Sequence, residues 1–215
     1  MELSGQLVEK FKDQAFSVVD SSSKAYWATQ LQSFGSLTEE ELLDVLCFFC
    51  DFVDNTSFSK DVAVVTQLTE KFLEVTSHKE FADSDLVKHT VAYGLGAFAH
   101  ALPSEAFKPF LSRSVGIIKA ITMRDEAFSP ENMEATENAM GALAKIAYKH
   151  IGADVSEADL CGVLGFLPFT SDESEAVTTH RYFLEQVQDS SSVLHSAAVK
   201  PAAQEALRKL REHVA

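Results

Sequence analysis

A unit of two amphipathic helices recurs along this chain at a nearly constant interval. Three similar segments carry the second helix of the unit, at Leu86–Leu102, Asn132–Ile151 and Glu173–Gln188, and their starts lie 46 and 41 residues apart. This interval matches the period of about 40–47 residues found in stacked arrays of helix pairs. Each unit of such an array buries its apolar face against its neighbours, so the array offers long surfaces rather than one central pocket. The repeat therefore favours a protein that holds partners over an enzyme.

Apolar residues are spaced three or four positions apart almost from end to end, as in Val87, Val91, Leu95 and Phe98. That spacing lines one face of a helix, and no stretch of useful length alternates with the period of two that is typical of a strand. The sequence therefore predicts an all-α fold, an α-α superhelix of HEAT- or armadillo-like repeats with about ten helices. The predicted helices are 4–20, 24–34, 39–54, 59–76, 84–102, 104–122, 130–150, 156–168, 172–188 and 201–214.

These helices are predicted to form a single repeat array. Its parts are an irregular first pair over 1–55, repeats over about 56–102, 103–151 and 152–190, and a C-terminal capping helix over 200–215. Glycines such as Gly94 and Gly141 lie inside the second helices, where each costs up to about 1 kcal/mol relative to alanine. Close approach of stacked helices would offset that cost, so these glycines indicate tight packing between repeats.

Local signals mark where several helices begin. Thr38 with Glu41 has the spacing of a capping box, in which the two side chains satisfy free backbone amides at a helix start. Ser156, with Asp159 three residues on, is a further start signal. Ser129-Pro130 places a capping residue before a proline at the first helical position, where the missing N–H is not needed.

Composition excludes several classes of function. The net charge is −14, and no clustered basic face of the kind that binds nucleic acid occurs. No apolar run approaches the roughly 20 residues of a membrane span, so we expect no membrane insertion. The three cysteines, an odd number, do not suit a disulfide framework. Cys47 and Cys50 match C-x-x-C inside an apolar helical run, where buried thiols acting as small hydrophobes explain them better than a redox or zinc site does.

Chemistry-bearing motifs are missing. None of the seven histidines lies in H-E-x-x-H or beside a plausible cysteine nucleophile, and no G-x-S-x-G or Walker loop occurs. We therefore predict no catalytic residues, no metal ligands, no cofactor and no enzymatic activity.

Three segments resemble one family. VAYGLGAFAH at 91–100 resembles the "AAYGLG" helix of the importin-β (karyopherin-β) nuclear transport receptors, nearest the importin-beta-three branch. NMEATENAMGALAKI at 132–146 resembles the next repeat of those proteins, and FLPFTSDESEAVTTHRYFLEQV at 166–187 resembles the turn and helix that follow. The three occur in the family's order and with matching separations, which is more specific than any one of them. In the family this region lies toward the C-terminal end of a longer superhelix, so the chain resembles a C-terminal segment or a divergent short relative.

The resemblance implies a receptor that carries cargo through nuclear pores and is found in both cytoplasm and nucleus. Second helices would face the concave, cargo-binding side, and first helices would form the convex side that meets phenylalanine-glycine (FG) nucleoporins. Carried over by position, the cargo-binding candidates are Asp51, Glu134, Glu137 and Asn138. The carboxylates would pair with the Lys and Arg of a localisation signal, and Asn138 would bond a peptide backbone.

Two alternatives stay open. Glu134 and Glu137 also fit ordinary solvated residues near a helix start, where negative charge suits the helix dipole. The chain as a whole also fits a generic HEAT-repeat scaffold or regulatory subunit with no role in nuclear import. The main Ran-GTP-binding surface of the importin-β family lies in N-terminal repeats that have no counterpart here, so we expect Ran to bind weakly at most.

Overall fold

The computed structural model describes residues 28–214, apart from the side chains of Ser174 and Val214. The helix predicted over 4–20 lies outside the described residues, as does the first part of the one predicted over 24–34, whose last turns are helical at residues 28–32. Every regular element within the described range is helical, and no strand occurs there. The predicted all-α class is therefore confirmed, while the winding of the helices into a superhelix stays a prediction.

Nine α-helices, numbered here in chain order, lie in the described range after residue 32. They are α1 (Glu39–Asn55), α2 (Val62–Val75), α3 (Asp85–Ala101), α4 (Ser104–Phe107), α5 (Leu111–Thr122), α6 (Met133–Ala147), α7 (Glu157–Phe166), α8 (Glu173–Gln188) and α9 (Lys200–Val214). Short 3-10 turns lie at Phe34–Ser36, Ser57–Lys60, Lys108–Phe110 and Val193–His195.

The predicted capping box at Thr38 is confirmed, and the helix start predicted at Ser156 is confirmed and also has a capping box. At the start of α1, the Glu41 amide donates to Thr38 Oγ1 at 3.3 Å, and the Thr38 amide donates to Glu41 Oε2 at 2.9 Å. At the start of α7, the Asp159 amide donates to Ser156 Oγ at 3.1 Å, and the Ser156 amide donates to Asp159 Oδ2 at 2.7 Å. These bonds satisfy amides that a helix start otherwise leaves without partners.

The predicted start at Ser129-Pro130 is wrong, because α6 begins only at Met133. Asn132 precedes the helix, but its side chain makes no capping bond. It instead donates to the Glu126 carbonyl and to Ser129 Oγ, both at 3.1 Å, and so ties the preceding turn together. Glu126 has a φ of 60° there, an unusual value for a residue other than glycine.

The helix predicted over 104–122 is interrupted. α4 ends at Phe107, a 3-10 turn covers Lys108–Phe110, and α5 continues from Leu111. Pro109 lies in this turn and has no backbone N–H to donate, so a regular α-helix cannot run through it without losing a bond.

The chain divides into two compact units, Met1–Ser114 and Val115–Ala215, with the division inside α5. In the first unit, α3 packs against both α1 and α2. Gly94 makes this possible, since a Cβ added there would lie 2.5 Å from a Phe72 ring carbon and 2.9 Å from Cys50 Sγ. The Phe72 ring meets Phe98 edge-on at 4.8 Å, which extends the buried core along α3. The predicted close approach at Gly94 is confirmed.

In the second unit, α6 packs against α7 and α8, and α7 packs against α9. Gly141 on α6 gives the close approach here, because an added Cβ would lie 2.6 Å from both Glu175 Oε1 and Thr179 Oγ1 on α8. Within each unit, the predicted second helices therefore lie side by side, α1 with α3 and α6 with α8. This is the contact pattern expected between adjacent helix pairs of a repeat array.

Candidate partner-binding surfaces

The four candidate residues lie on two second helices, Asp51 on α1 and the other three on α6. Glu134 is exposed, Asp51 and Asn138 are half-buried, and Glu137 is only 8% exposed. The sequence pattern could not separate them, because all four are polar residues at positions that the resemblance assigned to one side of the array.

The Glu137 carboxylate binds backbone amides of the protein itself. Its Oε2 accepts hydrogen bonds from the amides of Thr170 at 3.0 Å and Ser171 at 2.7 Å, in the loop between α7 and α8. Hydrogen bonds to an ionised carboxylate are stronger than neutral ones, and they satisfy a charge that would be costly to bury alone. The structure thus places Glu137 inside the protein as an anchor for this loop, a location that neither sequence interpretation anticipated.

Asn138 helps to set the start of α8. Its Nδ2 donates to Asp172 Oδ2 at 3.1 Å, and Asp172 Oδ1 accepts from the Glu175 amide at 3.1 Å. Asp172 therefore caps the first turn of α8 while Asn138 holds its other oxygen. With Glu137, this makes two adjacent α6 residues that position the chain entering α8.

His180 adds a third attachment to the same loop. Its Nε2 accepts from the Phe169 amide at 3.0 Å, which requires the unprotonated imidazole nitrogen. Burial, with a further contribution from the charge of His213, holds the pKa of His180 below its ordinary value of 6.5. The loop from 167 to 172 is therefore fastened by side chains from both α6 and α8.

The interface between α6 and α8 contains a buried ion pair that sequence reasoning missed. Lys145 Nζ lies 2.9 Å from Glu175 Oε1, and the two side chains are 1% and 2% exposed. Thr179 Oγ1 donates to Glu175 Oε1 at 2.7 Å, and the lysine nitrogen lies 5.5 Å from the centre of the Tyr182 ring. Glu137, Gly141 and Lys145 are four residues apart in turn, so both charged residues lie on the side of α6 that also carries the glycine. This spacing is the feature of the sequence that could have indicated the ion pair.

A stripe of carboxylates follows one face of α1. Glu40, Asp44, Asp51 and Asp54 are separated by intervals that return to the same side of a helix. Burial first, and then the charge of Glu40, raises the pKa of Asp44. Such a row of negative charge attracts cationic partners. Sequence reasoning identified only Asp51 of this group.

Cys47 lies on the same acidic face and is exposed, so the interpretation of both C-x-x-C thiols as buried is wrong for this one. Its position between Asp44 and Asp51 on the polar side of α1 explains the exposure. Partial desolvation of the sulfur, followed by the charges of Asp51 and Asp44, raises the pKa of the Cys47 thiol. A raised pKa reduces the thiolate fraction and hence the reactivity of the sulfur. Cys50, by contrast, is buried as predicted.

An apolar pocket of about 490 Å³ lies in the first unit, between residues 28–32, α1 and α2. Four phenylalanine and three aliphatic side chains form much of its wall, and polar groups such as Gln67 and Lys71 lie among them. The principal apolar lining residues are Leu31, Phe48, Phe49, Phe52, Phe58, Val64 and Leu68. A concave, largely apolar site with a few polar groups is the usual form of a binding pocket. Nothing in the periodicity of the sequence indicated it.

Within residues 28–214, no group of three or more His, Cys, Asp or Glu side chains is placed to share a metal ion. None of the helices in this range combines the length and the apolar character needed to cross a membrane.

No protein-family model matches the chain. The resemblance to importin-β is therefore carried by the three sequence motifs and by their positions.

Proposed function

We propose that this chain is a nuclear transport receptor of the importin-β type, or a segment of one, that binds proteins along its paired helices. The main support is that the three motifs fall on α3, α6 and α8, the predicted second helices, and that α6 packs against α8. Two motif glycines, Gly94 and Gly141, lie so close to neighbouring helices that an added Cβ would approach atoms there to 2.5 and 2.6 Å. The motif residues are thus the ones that a stacked array needs, which supports a shared architecture behind the resemblance.

FG nucleoporins are proposed to bind at the apolar pocket between residues 28–32, α1 and α2. In that architecture α2 acts as a first helix, the kind of element expected on the nucleoporin-binding side. The pocket wall already packs aromatic rings together, with Phe52 stacked on Phe48 at 4.7 Å and edge-on to Phe58 at 5.7 Å. A further phenyl ring would meet the same offset or edge-on geometries that aromatic pairs prefer. Burying one phenylalanine contributes about 1.5–3 kcal/mol, so FG repeats would bind weakly at each site and gain avidity from several.

Basic cargo is proposed to contact the acidic positions that remain accessible. Glu134 is exposed on the first turn of α6, and Asp51 belongs to the carboxylate stripe of α1. Glu137 and Asn138 would contribute indirectly, by holding the loop beside them. Shuttling of the receptor between cytoplasm and nucleus forms part of the same proposal.

Retention on immobilised FG repeats tests the nucleoporin interaction. Val64→Asp puts a carboxylate on the pocket wall and is expected to abolish retention, because the charge would have to be buried against a phenyl ring. Val62→Asp is the matched control, since Val62 is an exposed residue of α2 outside the pocket lining. Loss of retention in both variants, or in neither, would contradict binding at this pocket.

Binding of a fluorescent lysine- and arginine-rich peptide tests the cargo surface. Asp51→Asn and Glu134→Gln are each expected to weaken binding and to reduce its dependence on salt concentration, because each removes one exposed or half-exposed charge. Asp125→Gln, which removes an exposed carboxylate outside the second helices, is the control. An unchanged affinity in both Asp51 and Glu134 variants would remove these residues from the proposal.

The alternative function is a generic HEAT-repeat scaffold or regulatory subunit with no role in import. It has the same helix packing but predicts no retention on FG repeats by the wild-type chain. Retention of the wild-type chain on immobilised FG repeats therefore distinguishes the two functions.

A further inference from the structure

The second unit has an incompletely covered apolar face on α8 and α9, at the place where another second helix would pack. We propose that this face binds an acidic amphipathic helix of a partner protein. The site is distinct from the FG pocket and from the basic-cargo candidates, and the proposal does not depend on a role in nuclear import.

The position of the face follows from the packing within the unit. Second helix α6 lies against second helix α8, and first helix α7 lies against α9. Continuation of this pattern would put the next second helix against α9 and against the side of α8 that faces away from α6. A partner helix docking there would repeat a contact that the unit already makes once.

The orientation of α8 is given by its contacts with α6. Glu175, Thr179 and Tyr182 point toward Lys145 and Gly141 of α6. Val177 and Leu184 are seven residues apart and therefore share a face, which at about 100° per residue lies on the opposite side of α8. These two are 69% and 41% exposed. The helix thus presents apolar side chains where the next second helix would lie.

The exposed apolar residues of α8 continue toward a pocket that α8 and α9 form together. Val187 lies three residues after Leu184 on α8. It lines a pocket of about 210 Å³ together with Leu194, Ala203 and Leu207. Leu207 is half-buried, so α9 adds an apolar group to the same face. Apolar residues at successive three- and four-residue steps along a groove are the typical receptor for an amphipathic helix.

Charge on this face favours an acidic partner. The α8 stripe that contains Val177 and Leu184 also carries Arg181, and the α9 stripe that contains Leu207 also carries Lys200 and Arg211. Two carboxylates, Glu173 and Glu185, lie at the same three- or four-residue steps on the two stripes, against the three cations. Among the described residues, none forms an ion pair with Arg181, Lys200 or Arg211.

This local excess of positive charge stands out because the whole chain has a net charge of −14. A helix with leucines on one side and glutamates flanking them would bury Val177, Leu184 and Leu207. Its carboxylates would then face the three cations. Charge complementarity of this kind mainly sets specificity and the rate of encounter, while the apolar contacts hold the complex together.

Titration of the wild-type chain with two labelled synthetic helical peptides tests the proposal. Both peptides carry leucines at alternating three- and four-residue steps, and one has glutamates and the other lysines at the flanking positions. The glutamate peptide is expected to bind at least about tenfold more tightly than the lysine peptide, and added salt should reduce the difference. Equal affinities, or no binding of the glutamate peptide, would overturn the proposal.

Variants locate the interaction. Leu184→Asp is expected to weaken binding of the glutamate peptide by at least about tenfold, because it places a carboxylate in the apolar stripe next to the incoming acidic side chains. Leu86→Asp is the matched control, since Leu86 is an exposed leucine of a second helix in the other unit. Arg181→Glu should shift preference toward the lysine peptide, and equal weakening by Leu86→Asp and Leu184→Asp would contradict the assigned face.

Two further measurements keep the result interpretable. Thermal unfolding followed by circular dichroism checks that Leu184→Asp folds, and Arg181→Glu provides a milder surface change if it does not. Light scattering measures the size of the free wild-type chain. A dimer that Leu184→Asp converts to monomer would show that a second copy, and not a partner helix, covers this face, and would overturn the proposal.

Discussion

Lys145 on α6 and Glu175 on α8 form an ion pair of 2.9 Å, with side chains that are only 1% and 2% exposed. The pair lies beside Gly141 and is completed by a hydrogen bond from Thr179. Two adjacent second helices are thus joined by directional polar contacts in the interior of the unit. Each partner compensates the desolvation of the other, so neither can be removed alone without leaving a buried charge.

Replacement of one partner should destabilise the protein strongly. Lys145→Met leaves the Glu175 carboxylate buried without its cation, and we expect a loss of about 3–5 kcal/mol in the free energy of unfolding. The double variant Lys145→Met/Glu175→Leu should lose less than Lys145→Met alone. Urea unfolding followed by circular dichroism measures both values. Lys71→Met, which breaks the half-exposed Lys71–Glu74 pair, is the control and should cost less than about 1 kcal/mol.

Removal of the Glu137 carboxylate should loosen the loop between α7 and α8. Glu137→Ala leaves the amides of Thr170 and Ser171 without their carboxylate acceptor. Both residues are exposed and water can replace it, so we expect the free energy of unfolding to fall by less than the about 1–3 kcal/mol that buried amides would cost. Amide hydrogen exchange should therefore accelerate at these two residues. Glu134→Ala, on the exposed side of the same helix, should leave their exchange unchanged. Slow exchange in both variants would show that other contacts suffice to hold the loop.

Alanine at two glycines should have opposite effects. Gly141→Ala brings a Cβ to within 2.6 Å of Glu175 Oε1 and Thr179 Oγ1, so it should destabilise the chain despite the better helix propensity of alanine. Gly162→Ala on α7 meets no atom within 4 Å and should stabilise the chain by up to about 1 kcal/mol. Thermal unfolding of both variants measures the contrast, and a stabilised Gly141→Ala would refute the close approach.

Acidification should weaken the attachment made by His180. The folded pKa of His180 is below 6.5, so the unfolded chain binds the additional proton more readily. The contribution of the neutral imidazole is fully present above pH 6.5 and falls as the pH decreases from there toward the folded pKa. His180→Gln keeps an acceptor for the Phe169 amide but does not titrate. The stability difference between wild type and His180→Gln should therefore change in this pH range, and a constant difference would contradict the effect.

Local features of this fold could be predicted from the sequence, and long-range partners could not. The capping boxes at Thr38 and Ser156 involve residues three positions apart, so the sequence contains everything that determines them. The bounds of α1 and α3 agree with the predicted 39–54 and 84–102 to within one residue at each end. Pro109 was a readable signal for the break between α4 and α5 that the apolar periodicity concealed.

The candidate site residues show which features could not be predicted from the sequence. Glu137 and Glu134 are three positions apart on one helix and have similar chemistry, yet one is buried and the other exposed. The difference depends on a loop more than thirty residues away that supplies two amides to Glu137. Sequence spacing within a helix cannot reveal which distant segment covers it. For the same reason, the Lys145–Glu175 pair and the apolar pocket of the first unit could not be predicted from the sequence.

The polar contacts between α6 and α8 also have a mechanical consequence. Helices joined by smooth apolar surfaces can slide past one another at small cost, whereas a slide of one turn here would separate Lys145 from Glu175 and the loop amides from Glu137. We therefore expect these two helices to resist sliding past one another under load. A pull on α8 would then be carried to α6 through these polar contacts before the apolar contacts of the unit yield.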